Sequence, residues 1–244
     1  MAYPLNGLAD LYRDQNKYEQ AESLYLRAQH IWEQTYGPEH PDVAFVLNAL
    51  ADLYRDQGKY EQTEPLYLRA LHIWENAMGP EHPNIAYPLA GIGTLYREQG
   101  KYKEAEPLYQ RALLIRERHL GHQHPDTADT LHQLAQFYQV QQQNAQALSL
   151  YQEALHIREQ SLGSDHPKTC ATRLASTQLL QQMKEREEGV PDEPERSLVC
   201  ACGCGRQIDT DKSRGEPRRF FSSACKQRFY RHATRQKRND VVEP

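Results

Sequence analysis

The sequence repeats itself every 42 residues, and that period limits the possible folds more than any single motif within it. The stretch LNGLADLYRDQNKYEQAESLYLRAQHIW from Leu5 returns as LNALADLYRDQGKYEQTEPLYLRALHIW from Leu47 and as LAGIGTLYREQGKYKEAEPLYQRALLIR from Leu89. A weaker fourth copy starts at Leu131. Each copy closes on a related segment: GPEHPDVA at Gly37, GPEHPNIA at Gly79, GHQHPDTA at Gly121 and GSDHPKTC at Gly163. Short units recurring in register bury their apolar faces against one another, so the expected product is an elongated array.

Each unit reads as two helices. In the second copy Leu47, Leu50, Ala51 and Tyr54 recur at helical spacing, as do Thr63, Tyr67, Ala70 and Ile73 after a turn at Gly58. Small residues at Ala51, Gly93 and Ala135 permit close helix approach, and Tyr12, Tyr54, Tyr96 and Tyr138 beside them are expected in the core. Gly58, Gly100 and Asn16 suit a left-handed turn between the two helices. The second helix should stop at Gly37, Gly79, Gly121 and Gly163, with Asp42, Asn84 and Asp126 capping the next one. Pro65 and Pro107 are expected to kink the second helix. The repeats fall near 5–46, 47–88, 89–130 and 131–172, and a closing helix over 169–184 carries Ser176, Gln178, Gln181 and Gln182 as a polar cap. Met1 aligns with Val43 and Ile85, which fits either a piece of a longer array or an atypical start.

These residues resemble the tetratricopeptide repeat, in the long form with an HPD-like connection found in kinesin light chains and their bacterial relatives. The family spacing is met by Leu5, Leu8, Ala9, Tyr12, Ala21, Tyr25 and Ala28, and again by Leu89, Ile92, Gly93, Tyr96, Ala105, Tyr109 and Ala112; the second copy departs only at Thr63. The resemblance covers residues 1–185 and implies an all-α, right-handed superhelical solenoid of helix-turn-helix repeats with the first helices lining a concave side. The first-helix residues outside the packing stripe then face the groove. They are Tyr3, Asn6, Asp10 and Arg13, then Phe45, Asn48, Asp52 and Arg55, then Tyr87, Ala90, Thr94 and Arg97, then Asp129, His132, Gln136 and Gln139. By resemblance, Asn6 and Asn48 hydrogen-bond an extended peptide backbone, while the arginines and aromatics read acidic or bulky side chains. The competing reading pairs Arg13, Arg55 and Arg97 with neighbouring acids on a solvated face.

Chemistry of other kinds finds little support. No apolar run approaches the ~20 residues of a membrane helix, no secretory leader is visible, and the default is a cytoplasmic protein without membrane association. No nucleophile elbow, phosphate loop or HExxH occurs, so an enzyme is not expected. His40, His82, His124 and His166 recur once per repeat beside a proline, and the geometry of the module explains them better than a shared metal site does. Cys170, inside the repeats, is expected to be buried.

The end of the chain differs from the rest. Residues 186–198 have the composition of a linker, and 205–238 hold 11 basic against 3 acidic groups in a chain whose net charge is −4. Cys200, Cys202 and Cys204 sit on a glycine-containing knuckle, and Cys225 follows near the start of a basic helix. Residues 199–238 resemble short bacterial treble-clef zinc fingers, with Phe221 where such modules often have a cysteine. The resemblance implies a structural Zn2+ on Cys200, Cys202, Cys204 and Cys225, with His232 as a substitute ligand; the alternative is a finger that has lost its metal. Arg228, Arg231, Arg235 and Arg238 follow spacings that share one helical face, a stripe suited to nucleic-acid phosphates, to protein docking or to solubility. A disordered tail is expected over 239–244. The expected function is a non-enzymatic scaffold binding a protein or peptide in the groove; the alternative is a nucleic-acid-associated regulator in which the repeats sense a partner.

Overall fold

The computed structural model describes residues 2–187, and among them the chain is all helical, with no strand. The helices are α1 (Ala2–Asp14), α2 (Tyr18–Tyr36), α3 (Pro41–Asp56), α4 (Tyr60–Met78), α5 (Ala86–Glu98, preceded by a 3-10 turn at Pro83–Ile85), α6 (Tyr102–Leu120), α7 (Pro125–Val140), α8 (Asn144–Leu162) and α9 (Pro167–Glu187). Residues Met1–Gln181 form one compact unit, and a second begins at Gln182. The expected cysteine-rich module, with Cys200, Cys202, Cys204, Cys225, Arg228, Arg231, Arg235 and Arg238, lies outside the described residues.

Both turns of the repeat follow from local backbone chemistry. Within a pair, Gly58 and Gly100 adopt φ of 72° and 74°, and Asn16 and Gln142 follow at 58° and 63°. In each copy the next residue donates to the carbonyl five residues back, as in Lys59 N–H to Tyr54 O at 2.8 Å, while the left-handed residue donates three back, as in Gly58 N–H to Arg55 O at 2.8 Å. These paired bonds close the carbonyls left open at a helix end. Between pairs the sequence expectation needs correction, because the cap is a histidine. His40, His82, His124 and His166 each accept through Nδ1 the backbone N–H two residues on, at 3.1–3.3 Å. The adjoining proline explains the shift: it occupies the first helical position, where no N–H is needed, so Asp42 and Asp126 fall inside the first turn. Pro65 and Pro107 stand inside α4 and α6 without ending them; both helices run 19 residues, as do the proline-free α2 and α8.

The core draws on both helices of each pair. Tyr25, Tyr67, Tyr109 and Tyr151 are buried at 42-residue intervals, flanked by Ala28, Ala70, Ala112 and Ala154. Each hydroxyl reaches back to the first helix of its own pair: Asp10 at 2.5 Å, Asp52 at 2.5 Å, Thr94 at 2.9 Å and Gln139 at 2.8 Å. A buried phenol needs such a partner. Of the tyrosines expected in the core, Tyr138 is buried, whereas Tyr54 and Tyr96 are half-buried, and all three lie along the seam between repeats. Their hydroxyls donate to Glu22 at 2.7 Å, Glu64 at 2.6 Å and Glu106 at 2.9 Å on the second helix of the preceding repeat. Tyr12, at the equivalent place in the first repeat, is half-buried.

Every second helix packs on the first helix of the next pair, and first helices also approach one another directly, α1 to α3, α3 to α5 and α5 to α7. The row of first helices is thus the tighter one and lies on the inner side of the stack. The closing helix α9 keeps the inward register, with Thr169, Thr172, Ser176 and Leu179 buried where α7 places Thr127, Thr130, Leu134 and Phe137. Ser176 is therefore not part of the solvent-facing cap. Cys170 is exposed rather than buried, because its counterparts Ala44, Ala86 and Ala128 are buried within the stack whereas α9 closes it.

Candidate partner-binding groove

The inner row of helices carries the expected groove residues, and packing divides them into two sets. Tyr3, Phe45 and Tyr87 keep substantial exposure, at 63%, 38% and 36%. Ala90 and Thr94, expected to face the groove, are buried, since Thr94 is drawn inward as the acceptor for Tyr109. Asp10 and Asp52 anchor Tyr25 and Tyr67. Asp52 also takes Arg55 at 3.0 Å and Arg13 at 3.6 Å, and Asp56 takes Arg55 at 3.0 Å and Arg13 at 3.8 Å. Arg13 and Arg55 are therefore tied into an ionic lattice across the first two repeats. Burial works against the Arg55 charge, but Asp52, Tyr67 and Asp56 together outweigh it and hold the guanidinium pKa above its ordinary value.

Arg97 stands apart. The positions that give Arg13 its two aspartates in the next repeat are occupied, one repeat beyond Arg97, by Gln136 and Val140. Arg97 hydrogen-bonds Gln136 at 2.9 Å and pairs with Glu98 at 3.5 Å. It opens into a cavity of about 430 Å³ that draws together α3, α5, α7, α8 and α9 and whose wall includes Arg55, His132, Gln136, Arg158 and Lys168. His132 lies between Thr172 and Gln136, both at 3.2 Å from its ring nitrogens. Burial, reinforced by the Arg158 and Arg97 charges against the opposing Asp129, pushes its pKa down to about 4, so the ring is neutral near pH 7. Burial would raise the Asp129 carboxyl, but Lys168 and Arg158, each at 2.7 Å, hold it below the usual range. Asn6 and Asn48 each keep a buried Oδ1 without a hydrogen-bond partner.

One feature escaped the sequence reading. The exposed inner residue of each repeat rests on a second-helix residue 29 positions later, and the pair changes character along the stack. Tyr3 meets Trp32 edge-on at 5.1 Å, and Phe45 meets Trp74 at 5.0 Å. Tyr87 instead lies under the Arg116 guanidinium at 4.7 Å, and Asp129 pairs with Arg158. Arg116 and Arg158 are buried and donate to Thr130 at 2.6 Å and to Thr172 respectively, so they serve as core struts as well as charges. The order Trp, Trp, Arg, Arg at 42-residue spacing was the available signal.

Four helix pairs stacked in register, with an inner row of first helices and a closing helix, define a helical-repeat protein. The chain belongs to the tetratricopeptide repeat family: sequence models of that repeat match residues 1–62, 42–118, 90–139 and 127–168. Its fold is similar to that of BtubC (BKLC) from P. vanneervenii, with a TM-score of 0.61 and 22% identity over 88% of this chain and 86% of that one. It is also similar to a Podosopora anserina protein assigned as a kinesin light chain with nearly identical TPR-like repeats, with a TM-score of 0.57 and 24% identity over 76% of this chain and 88% of that one. At these identities the likeness is one of fold. No curated protein matches the chain by sequence. Tetratricopeptide repeats generally mediate protein–protein interaction. No helix among the described residues is long and apolar enough to cross a membrane.

Proposed function

We propose that the protein is a non-enzymatic scaffold that holds an extended segment of a partner protein along the inner helices α1, α3, α5 and α7. The observation that carries this reading is the cavity joining α3, α5, α7, α8 and α9, which Arg97 faces while paired with one carboxylate, Glu98, where Arg13 has two. Asn6 and Asn48 support it, because rotation of each amide offers an acceptor to a peptide N–H. Aromatic rings at Tyr3, Phe45 and Tyr87 suit bulky side chains, and Arg97 suits an acidic one. Affinity capture from a lysate with the full chain, with a version ending at Glu185, and with Asn6→Ala/Asn48→Ala/Arg97→Ala tests the reading. Partners held by the first two and lost with the third, at unchanged helical circular dichroism, support it; unchanged recovery moves binding away from the groove.

For residues 199–238 we propose a structural zinc on Cys200, Cys202, Cys204 and Cys225, on the strength of four thiolates within a short basic segment. A segment of this size has too little core to fold readily without such a staple. The arginine stripe at Arg228, Arg231, Arg235 and Arg238 makes nucleic-acid phosphates the second candidate partner.

A further inference from the structure

A row of hydrogen bonds crosses the cavity from α5 to α9, and chemistry fixes the donor in each of them. Arg97 has only N–H groups to offer, so the Gln136 atom it meets at 2.9 Å is the carbonyl oxygen. The Gln136 amide nitrogen then stands 3.2 Å from His132 Nε2 and donates to it. On the other side of the ring, Thr172 Oγ1 lies 3.2 Å from Nδ1. The one hydroxyl hydrogen of Thr172 goes to Lys168 O at 2.9 Å, and Arg158 donates to the same hydroxyl oxygen. Thr172 therefore accepts from His132 Nδ1–H, and the ring is held as the neutral tautomer with Nε2 bare. A proton added at Nε2 needs an acceptor there, which the Gln136 amide supplies only by turning around. Turned, the amide presents its N–H groups to Arg97 and releases the guanidinium into the cavity.

We propose that the cavity takes a carboxylate side chain of the partner on Arg97, and that its arrival is passed through Gln136 to place a proton on His132 Nε2. This rests on the groove reading above and adds to it the ligand class and a control by pH. The cavity wall holds four cations, Arg55, Arg97, Arg158 and Lys168, against three carboxylates, Asp56, Glu98 and Asp129, so one further negative charge balances it. His132 feels Arg97 from α5, Asp129 from its own helix and Arg158 from α8, meets the Tyr151 ring of α8 edge-on at 5.2 Å, and shares the cavity with Lys168 of α9. A carboxylate on Arg97 cancels one of the two positive charges that, after burial, keep the ring neutral. It also replaces Gln136 as the acceptor for Arg97, which frees the amide to turn. By reciprocity, protonation of His132 tightens the carboxylate by the factor with which the carboxylate raises the proton affinity.

The full chain labelled with nitrogen-15 in histidine tests the relay, with trifluoroacetate as the probe and chloride at equal ionic strength as the control. Trifluoroacetate is a carboxylate that stays ionised across the range. Long-range proton–nitrogen correlation spectra at pH 7 should show His132, assigned by its loss in His132→Gln, as the Nδ1–H tautomer. At pH 5 the ring should be about one-tenth protonated in chloride and about one-half at the plateau of a trifluoroacetate titration, a gain of about tenfold in proton affinity. Arg97→Ala should abolish the response, and Gln136→Leu should cut the gain to below about twofold. Circular dichroism checks each variant; if one misfolds, the tautomer and the wild-type titration still decide. An Nε2–H tautomer, no gain in trifluoroacetate, or a full gain in Gln136→Leu overturns the proposal. These readings come from the chain alone, so they stand or fall apart from the capture of partners that tests the groove.

Discussion

Replacing Gly91 by alanine sets two effects of opposite sign against each other. Inside a helix, glycine to alanine normally stabilises by about 1 kcal/mol through backbone entropy. A Cβ at Gly91, however, would stand 2.4 Å from Cε1 and 2.5 Å from Cζ of Tyr67, far inside van der Waals contact. Tyr67 is fully buried, and its hydroxyl is held by both Asp52 and Arg55, so the ring has little room to retreat. One repeat earlier Ala49 occupies the equivalent place, but there Tyr25 is tied by hydrogen bond to Asp10 alone. Overpacking of this kind costs about 1–3 kcal/mol, which outweighs the helix gain. Gly93→Ala is the internal control. Its Cβ would lie 3.2 Å from the Tyr109 ring, and Ala9, Ala51 and Ala135 occupy that place in the other repeats, so the helix gain of up to ~1 kcal/mol should survive. Urea unfolding followed by circular dichroism should rank Gly91→Ala below wild type and Gly93→Ala at or above it. Equal or greater stability of Gly91→Ala would refute the assigned ring position.

Four further outcomes follow from the electrostatics, the thiolates and the arginine stripe. The folded state favours neutral His132, with a pKa near 4 against an ordinary 6.5; stability is full above about pH 6.5 and falls as pH drops toward 4, by up to ~3 kcal/mol, and His132→Gln should flatten that limb of a pH titration of urea midpoints. The Tyr96 phenol is raised to about 12 by its bond to Glu64 and by burial, so its contribution is present below pH 10 and lost as pH rises toward 12; Tyr96→Phe should remove that dependence and cost about 1–2 kcal/mol at neutral pH. Metal analysis of reduced, zinc-supplied protein should find one zinc per chain, lost with Cys225→Ser. If the zinc-loaded chain binds labelled DNA or RNA only at low salt, the arginine stripe reads phosphates; no binding even there rejects that role.

Legibility varied with how local the physics was. Gly58, Gly100 and Asn16 announced their turns because a positive φ strongly selects such residues, while Gln142 adopts φ of 63° with no such signal. The histidine caps were missed because a ring nitrogen is a less familiar acceptor than an aspartate two residues on. Two tyrosines per repeat, such as Tyr54 and Tyr67, share the periodicity, and only the distance to Glu22 or Asp52 across helices tells the seam from the core. Tyr3, Phe45 and Tyr87 are exposed, as helical spacing outside the packing stripe leads one to expect, whereas the inward turn of Thr94 depends on Tyr109 from the partner helix.

The exchange of Trp32 and Trp74 for Arg116 and Arg158 also makes the protein optically lopsided. Both tryptophans of the chain are buried in the first two repeats and Trp74 reaches α5 only through Tyr87, so intrinsic indole emission reports little of events in α7 through α9, while helical ellipticity records the whole stack. Unfolding curves from the two signals should superimpose only when the repeats melt as one, and any separation between them dates the loss of one half against the other.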